Sequence, residues 1–364
     1  MEQFAFMIHP LDVRDVSRKF QFTKYLPNAL VEGILPWVPA FKAAEIEGPA
    51  SVHNQAKGWF VTCPLTSRQM LSMPEGKVIS KIVAAGRVAE RLGAKILGLG
   101  AFTSVVGDGG ISVAKQLKIP VTTGNSYTIA TAITGLKQAA EIMGTDLKQA
   151  EIVIVGATGS IGSVCAELLA REVNNLTLVG RDPSKLEKVA RKLLYETGLP
   201  ARITTDLKKV LPGADVIITV TSSIDVLIEP EDLKPGAIVC DVARPRDVSK
   251  RVAELRDDVL VIEGGLVEIP GDINFNLNFG FPNNTCYGCM AETMLLALEG
   301  RYESFSLGKE ITVRQVEDIE KVAKKHGFRV AGLRSFERAV TVEEIRSIKE
   351  RAKGQNNTRI CVNH

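Results

Sequence analysis

Short, almost wholly apolar runs alternate along the chain with longer segments of helical spacing. Between residues 146 and 274, runs of four or five apolar residues are typical of strands buried on both faces of a parallel sheet. The first 145 residues show a similar alternation. The predicted strands are residues 4–9, 57–63, 95–99, 119–122, 152–155, 176–179, 216–220, 238–241 and 259–262, and the predicted helices of the first block are residues 13–20, 76–92, 110–117 and 126–143.

The last ninety residues have a different pattern. A loop rich in asparagine and glycine, residues 271–284, precedes a strong helical pattern at 285–298 that Gly300 closes. Two more helical patterns follow at 313–326 and 342–353. We therefore predict an α/β fold with an N-terminal α/β substrate domain (1–145), a Rossmann-type, doubly wound parallel sheet (146–275) and a helical C-terminal portion (276–364).

Composition narrows the function classes. The 364 residues are 45% hydrophobic and 24% charged, which predicts a large core and no extensive disorder. A net charge of +3 does not favour a nucleic-acid partner. Neither a secretory signal nor an apolar run of the ~20 residues that span a bilayer is visible, which leaves only peripheral membrane contact open. A cytoplasmic protein with reduced cysteines is expected, at positions 63, 165, 240, 286, 289 and 361.

The clearest motif is a glycine-rich turn between the predicted strands 152–155 and 176–179. Gly156 suits a tight turn, Gly159 the close approach of backbone to a pyrophosphate, and Gly162 close packing of helix on strand. A helix that begins near Ser160 offers N–H groups and a positive dipole end to phosphates. Thr158 and Ile161 lie within the same turn and complete the predicted dinucleotide site.

The residue after the second strand of this unit distinguishes between cofactors. Asp or Glu there would favour a free ribose, whereas this chain has Arg181, with Lys185 one turn later. Two cations suit a ribose 2′-phosphate, so we predict an oxidoreductase that uses NADPH. Further loops are expected at the carboxyl ends of the strands, where ligands bind, and Thr221 is predicted to contact the cofactor. The other two such loops are residues 241–245 and 263–265.

A C-x-x-C pair, Cys286 and Cys289, stands at the start of the predicted helix 285–298. Asn284 or Thr285 is the predicted N-cap, which places both thiols in or near the first turn and on one face. A helix N-terminus stabilises a thiolate and so favours a nucleophile. A redox pair and a packing role remain open, whereas a zinc site would need two further ligands that no second pair supplies, so no metal is predicted.

A nucleophilic cysteine together with a hydride donor indicates the reduction of an acyl thioester. A thiolate can take an acyl group from an activated donor and form a thioester on the enzyme. Hydride then reduces that thioester to an aldehyde, and the thiolate leaves. Alcohol dehydrogenation requires no such cysteine.

Several motifs together resemble the long-chain acyl-acyl-carrier-protein reductases that are best represented in cyanobacteria. The similarity extends over nearly the whole chain. It is carried by residues 12–18, 99–104, 122–125, 155–163, 263–268, 289–300 and 326–328. The resemblance implies reduction of a long-chain acyl thioester to a fatty aldehyde with NADPH. It also implies that the nucleophile is Cys289. The chemistry of the residues alone does not decide between Cys289 and Cys286.

The resemblance also suggests site residues and partners. Asn125 and Glu292, the latter one turn after Cys289, are candidate active-site groups. The family motif Thr-Thr-Gly-Asn-Thr-His-Thr has Tyr127 in place of histidine here, so Tyr127 or water is expected to take any role of that histidine in proton transfer. The expected acyl donor is acyl carrier protein or coenzyme A, with an aldehyde-consuming enzyme as a further partner.

Two other functions stay open. Residues 241–247 look like the corresponding loop of glutamyl-tRNA reductases, which also reduce a cysteine-bound thioester, and the tail beyond Val330 is longer than the family suggests. The middle block resembles shikimate-type dehydrogenases, although a matching Lys and Asp pair is not evident. A dehydrogenase of a small hydroxy or amino acid is therefore the first alternative, and a nucleotide-sensing protein without turnover is the second.

Overall fold

The computed structural model describes residues 1–51, 53–278, 281–282 and 284–362, with side chains for all of these except 18 and 355–362. The chain forms two compact units, and each is assembled from two separate segments. The first unit is Met1–Tyr127 with Val267–Arg329, and the second is Thr128–Leu266 with Val330–His364. This grouping differs from the three consecutive regions expected from the sequence, because the helix after residue 287 packs on the sheet of the first unit.

The first unit contains a five-stranded sheet in the order β2-β3-β1-β4-β5, parallel except for the edge strand β2. Phe4 and Phe60 lie on one face of this sheet, whereas the alternating Met7 and Val61 join the core beneath α4. The strands are β1 (Glu2–Ile8), β2 (Phe41–Ile46), β3 (Ala56–Thr62), β4 (Leu97–Leu99) and β5 (Val121–Thr122), and the helices are α1 (Val13–Lys19), α2 (Asn28–Ile34), α3 (Ser67–Ser72), α4 (Glu75–Arg91) and α5 (Ile111–Ala114).

The second unit contains six parallel strands in the order β11-β10-β9-β6-β7-β8. If these six strands are numbered 1 to 6 along the chain, their order across the sheet from β8 to β11 is 3-2-1-4-5-6. This is the predicted doubly wound topology. The helices are α6 (Asn125–Met143), whose first three residues belong to the first unit, α7 (Ser160–Ala170), α8 (Pro183–Thr197), α9 (Leu207–Val210) and α10 (Lys250–Leu255). The strands are β6 (Glu151–Val155), β7 (Asn175–Val179), β8 (Arg202–Thr204), β9 (Val216–Thr219), β10 (Ile238–Asp241) and β11 (Leu260–Glu263).

The remaining elements include short strands as well as the predicted helices. They are β12 (Leu266–Glu268), β13 (Thr285–Tyr287), α11 (Gly288–Leu298), α12 (Val313–His326), β14 (Arg329–Val330), β15 (Arg334–Ser335), β16 (Arg338–Ala339) and α13 (Val342–Val362). The predicted helix start at Thr285 is wrong, because Thr285–Tyr287 pairs as a strand with β12 and the helix begins only at Gly288. Part of the predicted loop 271–284 and the side chain of Cys361 lie outside the described residues.

No helix in the described ranges is both long enough and apolar enough to cross a membrane.

Candidate active site

Cys289 is the second residue of α11 and is only partly buried. The residue before the helix, Tyr287, makes no side-chain cap, so the positive end of the helix dipole acts directly on this first turn. Backbone N–H groups and the dipole at a helix N-terminus stabilise a thiolate. The position of Cys289 therefore suits a cysteine that reacts as an anion.

Cys286 has a different environment from the one expected. It lies in β13 rather than in the first turn of the helix, and only 2% of its surface is exposed. Burial raises the pKa of the Cys286 thiol well above its usual range, and the nearby Cys289 raises it further, while a hydrogen bond from the backbone of Ala291 opposes this shift. Cys286 is therefore a neutral, inaccessible thiol, and the two cysteines of the motif are not chemically equivalent.

Gly124 contacts Cys289 directly. A Cβ atom at Gly124 would lie 2.1 Å from the Cα and 2.5 Å from both the Cβ and the carbonyl oxygen of Cys289, and the glycine has a φ of +74°. No other residue fits this close approach. On the next turn of α11, Thr293 donates its hydroxyl to the carbonyl oxygen of Cys289 at 3.2 Å.

Glu292 is completely buried and accepts hydrogen bonds from two other parts of the first unit. Its Oε1 accepts the hydroxyls of Thr122 at 2.6 Å and Ser306 at 2.5 Å, and its Oε2 accepts the N–H of Tyr127 at 3.0 Å. Burial raises the pKa of Glu292, while these donors and the N–H of Gly124 lower it. The carboxyl group thus holds the start of α6 and fixes Gly124 against α11.

Asn125 and Tyr127, the two candidates on α6, lie in the first turn of that helix. Both are buried, with 9% and 3% of their surface exposed. Burial is the main cause that raises the pKa of Tyr127, and the neighbouring Cys286 and Glu320 add to it. Tyr127 is therefore a neutral hydroxyl, and the structure brings it together with Asn125, Cys289 and Glu292 in one unit.

Sequence reasoning missed the hydroxyls that complete this network. Ser306 also accepts the N–H of Ser126 at 3.3 Å, and its own N–H donates to Thr122 at 3.1 Å. No motif marks Ser306, which lies outside every predicted element, so the sequence gives no signal for it. Thr122 belongs to a motif that carries the family resemblance, although nothing in the motif reveals its partner.

Two histidines of the first unit have structural partners. His9 Nε2 accepts the N–H of Phe102 at 3.1 Å, so the proton is on Nδ1, which donates to the Pro10 carbonyl at 2.9 Å. Burial lowers the pKa of His9 to about 4. His326 bridges Ser51 and Glu299, at 2.7 Å from each.

The glycine turn of the second unit has the geometry of a phosphate site. Gly156 has a φ of +84° and begins the turn after β6, and Gly159 is the residue before α7, which has no side-chain cap. A Cβ at Gly162 would lie 2.4 Å from the Gly156 carbonyl oxygen, so the helix packs closely on the turn. The N–H groups of the first turn of α7, from Ser160 onward, are thus directed to the position that a dinucleotide pyrophosphate takes in this motif. Thr158 and Ile161 are partly exposed in the same turn.

Arg181 and Lys185 lie after β7, as predicted, and both are exposed. Asp182 stands between them and is the N-cap of α8, accepting the N–H groups of Ser184 at 3.0 Å and Lys185 at 3.3 Å. The Lys185 ammonium is 3.5 Å from the Asp182 carboxylate. The Asp182 carboxylate is thus engaged by the helix cap and by Lys185, whereas the Arg181 side chain is exposed directly after β7.

The loops after β9, β10 and β11 lie at the same edge of this sheet as the glycine turn. Thr221 donates its hydroxyl to Asp247 at 2.6 Å and its N–H to the same carboxylate at 3.1 Å. Asp241 accepts the N–H groups of Ala243 and Val248, and burial raises its pKa to about 7. These aspartates hold the edge loops in place, a role that the sequence did not reveal.

The arrangement of the second unit agrees with a comparison against known families. Residues 137–263 match the family described as shikimate / quinate 5-dehydrogenase. This stretch contains the glycine turn and all the strands from β6 to β11. The match covers about a third of the chain, so it concerns this part of the protein.

Whole-chain relatives extend the comparison. The long-chain acyl-[acyl-carrier-protein] reductase of Synechococcus elongatus is 29% identical over 337 residues, which cover 88% of this chain and 95% of that protein. The aminotransferase PigE of a Serratia species is 31% identical over 322 residues, but the chain spans only 37% of its length. A glutamyl-tRNA reductase of Teredinibacter turnerae is 25% identical over 259 residues, 66% of this chain and 59% of that protein. The predicted resemblance to acyl-acyl-carrier-protein reductases is confirmed.

Proposed function

We propose that this chain, a divergent relative of the long-chain acyl-acyl-carrier-protein reductases, reduces a long-chain acyl thioester to a fatty aldehyde with NADPH. The observation that carries the proposal is the difference between the two cysteines. Cys289 is partly exposed at a helix N-terminus, whereas Cys286 is buried with a raised pKa. Relatives named as reductases and dehydrogenases support the broader class, an oxidoreductase with a nicotinamide cofactor.

The reaction requires one thiolate, which acts first as the nucleophile and then as the leaving group. The Cys289 thiolate attacks the carbonyl carbon of the acyl donor, the bond to the donor sulfur breaks, and the donor leaves as a thiolate that takes up a proton. The nicotinamide cofactor, when bound, supplies a hydride to the acyl carbon of the enzyme thioester. The bond between that carbon and Cys289 then breaks, which releases the aldehyde and restores the thiolate.

The other residues of the first unit have distinct roles in this proposal. Asn125 follows Gly124, which contacts Cys289, so its amide is the proposed donor to the thioester oxygen. Tyr127 keeps its proton and serves as a hydrogen-bond donor rather than as a base. Glu292 is a positioning residue, because its carboxylate is surrounded by donors from Thr122, Ser306 and the start of α6.

The residues of the second unit hold the cofactor. Gly156, Gly159 and Gly162 allow the backbone to approach the pyrophosphate, and the first turn of α7 donates N–H groups to it. Arg181 binds the 2′-phosphate, with Lys185 contributing at the same end of β7. Thr221 lies at the edge of the sheet where such cofactors bind and is held there by Asp247.

A second candidate is favoured by the family match over residues 137–263. A shikimate-type dehydrogenase of a small hydroxy acid would use the nucleotide unit in the same way but would not need Cys289. Activity that a Cys289→Ser variant retains in full, with a small hydroxy acid as substrate, would support it. Binding of NADPH without consumption in the presence of any thioester would instead support a nucleotide sensor.

The test uses purified protein with C16 or C18 acyl carrier protein or acyl-coenzyme A. NADPH consumption is measured, and the aldehyde is detected directly. We expect aldehyde from the wild type and from Cys286→Ser, and a loss of at least a thousandfold in Cys289→Ser. Absence of aldehyde despite tight NADPH binding would refute the proposal. Comparison of the two donors decides between acyl carrier protein and coenzyme A.

A further inference from the structure

An exposed apolar surface lies on the first unit, within residues 20–37. We call it the aromatic face and define it by six side chains that are between 37% and 90% exposed: Phe20, Phe22, Tyr25, Leu30, Ile34 and Trp37. Isolated exposed apolar residues are ordinary, but a cluster of this kind marks an interaction site. The remaining large exposed apolar side chains of the described residues are scattered over more than three hundred positions.

Helical spacing explains why these side chains point outward together. Phe22 and Tyr25 are three apart in the 3-10 helix Gln21–Tyr25, which has three residues per turn, so they share one side while Thr23 is buried. In α2 and the short 3-10 helix Leu35–Trp37 that follows, Leu30, Ile34 and Trp37 have the spacing of one helical face.

The aromatic face is not needed to build the core beneath it. Val31 and Leu35 are buried and anchor α2 and the turn after it. Phe20 makes edge contacts with Phe22 and with Phe41 of β2, at 6.4 Å and 6.1 Å between ring centres. The three most exposed of these side chains, Phe22, Tyr25 and Trp37, therefore contribute little to the core, and their exposure has a cost in solubility.

The charges around this surface identify the kind of partner. Lys24 is exposed within the segment, and the exposed Lys19 directly precedes it, 6.0 Å from the centre of the Phe41 ring. The one acidic residue of 20–37, Glu32, is half-buried and accepts the hydroxyl of Thr66 at 3.3 Å. Exposed tryptophan, tyrosine and phenylalanine beside two exposed lysines, with the one carboxylate of the segment half-buried, are typical of segments that lie at the head-group level of a bilayer.

We propose that the aromatic face docks on the surface of an anionic lipid bilayer, with its rings among the head groups and Lys24 at the lipid phosphates. A protein partner, including a second copy of this chain, is an outcome that the test below distinguishes from a bilayer. The proposal builds on the proposed function in one respect, since a long-chain aldehyde partitions into such a bilayer. Binding itself does not depend on catalysis.

Tryptophan fluorescence provides an intrinsic probe of lipid binding. Of its two tryptophans, Trp37 is 85% exposed and Trp59 is 6% exposed, so a change in fluorescence on docking comes from Trp37. Titration with phosphatidylglycerol vesicles should shift the emission to shorter wavelength, and brominated lipid should quench it. Phosphatidylcholine vesicles or high salt should weaken binding severalfold, because the electrostatic contribution is lost.

Variants distinguish binding through the aromatic face from nonspecific binding by any exposed apolar side chain. A Phe22→Ser/Trp37→Ser double variant should lose at least tenfold in sedimentation with anionic vesicles. The matched control is Leu194→Ser/Tyr195→Ser, an equally exposed apolar pair on α8, which should bind as the wild type does.

Three results would overturn the inference. They are absence of sedimentation with anionic vesicles, a dimer of this chain that the double variant abolishes, and a lipid-free fluorescence shift caused by an acidic carrier protein. Reduction of a soluble short-chain acyl-coenzyme A should be unchanged in the double variant, so failure of the docking proposal is distinguished from failure of the proposed function.

Discussion

Gly124 leaves no room for a side chain against Cys289, since a Cβ on the glycine would lie 2.1 Å from the Cα of the cysteine. The two residues come from segments that are far apart in the chain, one after β5 and the other at the start of α11. The position of the nucleophile is therefore set by backbone packing as well as by its own helix. The roles of individual residues around it can be tested on this basis.

The first test concerns the contact itself. Gly124→Ala should lower kcat for aldehyde formation at least a hundredfold, because the new methyl group displaces Cys289 and a 1 Å misplacement alone can cost that much. Gly198→Ala is the matched control, since Gly198 has a similar φ of +78° but no atom lies within 4 Å of the position that its Cβ would take. Both variants carry the strain of a left-handed alanine, about 1 kcal/mol. Equal activity in the two variants would contradict the importance of the contact.

Glu292 tests positioning against proton transfer. Glu292→Gln should keep kcat within about tenfold with an unchanged pH profile, because a glutamine oxygen still accepts the N–H groups of Tyr127 and Gly124, and the hydroxyls can rotate to accept its amide. Glu292→Ala should lower the free energy of unfolding by about 3 kcal/mol, since it leaves buried donors without an acceptor. A thousandfold loss of kcat in the glutamine variant, with stability retained, would identify Glu292 as a catalytic acid or base instead.

Arg181 is expected to set the cofactor preference. Arg181→Ala should raise the Kd for NADPH about 10- to 100-fold and leave the Kd for NADH nearly unchanged, because only the 2′-phosphate loses a charged partner. Arg191→Ala is the control. Arg191 lies in α8, the helix that follows Arg181, and its side chain is 81% exposed and pairs with Glu187. Isothermal titration with both cofactors measures the difference. A parallel loss of both affinities would show that Arg181 acts through the fold.

His9 predicts a dependence of stability on pH. Its pKa is lowered to about 4 from an ordinary value near 6.5, so the unfolded chain takes up the proton first as the pH falls. The stability that neutral His9 confers is present above pH 6.5 and is lost as the pH approaches 4, by about 3 kcal/mol at most. His9→Gln lacks this dependence. Urea unfolding of both proteins between pH 7.5 and 4 should give curves that converge toward acid, and parallel curves would contradict the assignment.

The sequence predicted some parts of this protein much better than others. The strands from β6 to β11 were evident, apart from β8, because a parallel sheet covered on both faces needs continuous apolar runs. Edge strand β2 was missed, since it carries Lys42 and Glu45 and is only partly buried. The glycine turn was predicted residue by residue because each glycine answers a local steric demand.

Nonlocal packing explains what the sequence did not reveal about the candidate site. Thr285–Tyr287 has no feature that excludes a helix, and only its pairing with β12 makes it a strand and buries Cys286. Two partners of Glu292, Thr122 and Tyr127, are likewise distant in the chain, and hydroxyl residues such as Ser306, although nearer, are too common to stand out. The motif therefore located the cysteines, whereas their inequality required the three-dimensional structure.

The interrupted first unit has a consequence for biosynthesis. Ser306 donates its N–H to Thr122 across 184 residues, and the whole second-unit sheet is encoded between them. At ~5–20 residues per second, a ribosome needs about 10–40 s to make this stretch. During that time the carboxyl-terminal half of the network around Cys289 does not yet exist. The nascent chain consequently carries the five-stranded sheet without the helix α11 that packs on it, while most but not all of the second unit emerges, so we expect chaperones that act during translation to bind this uncovered sheet face.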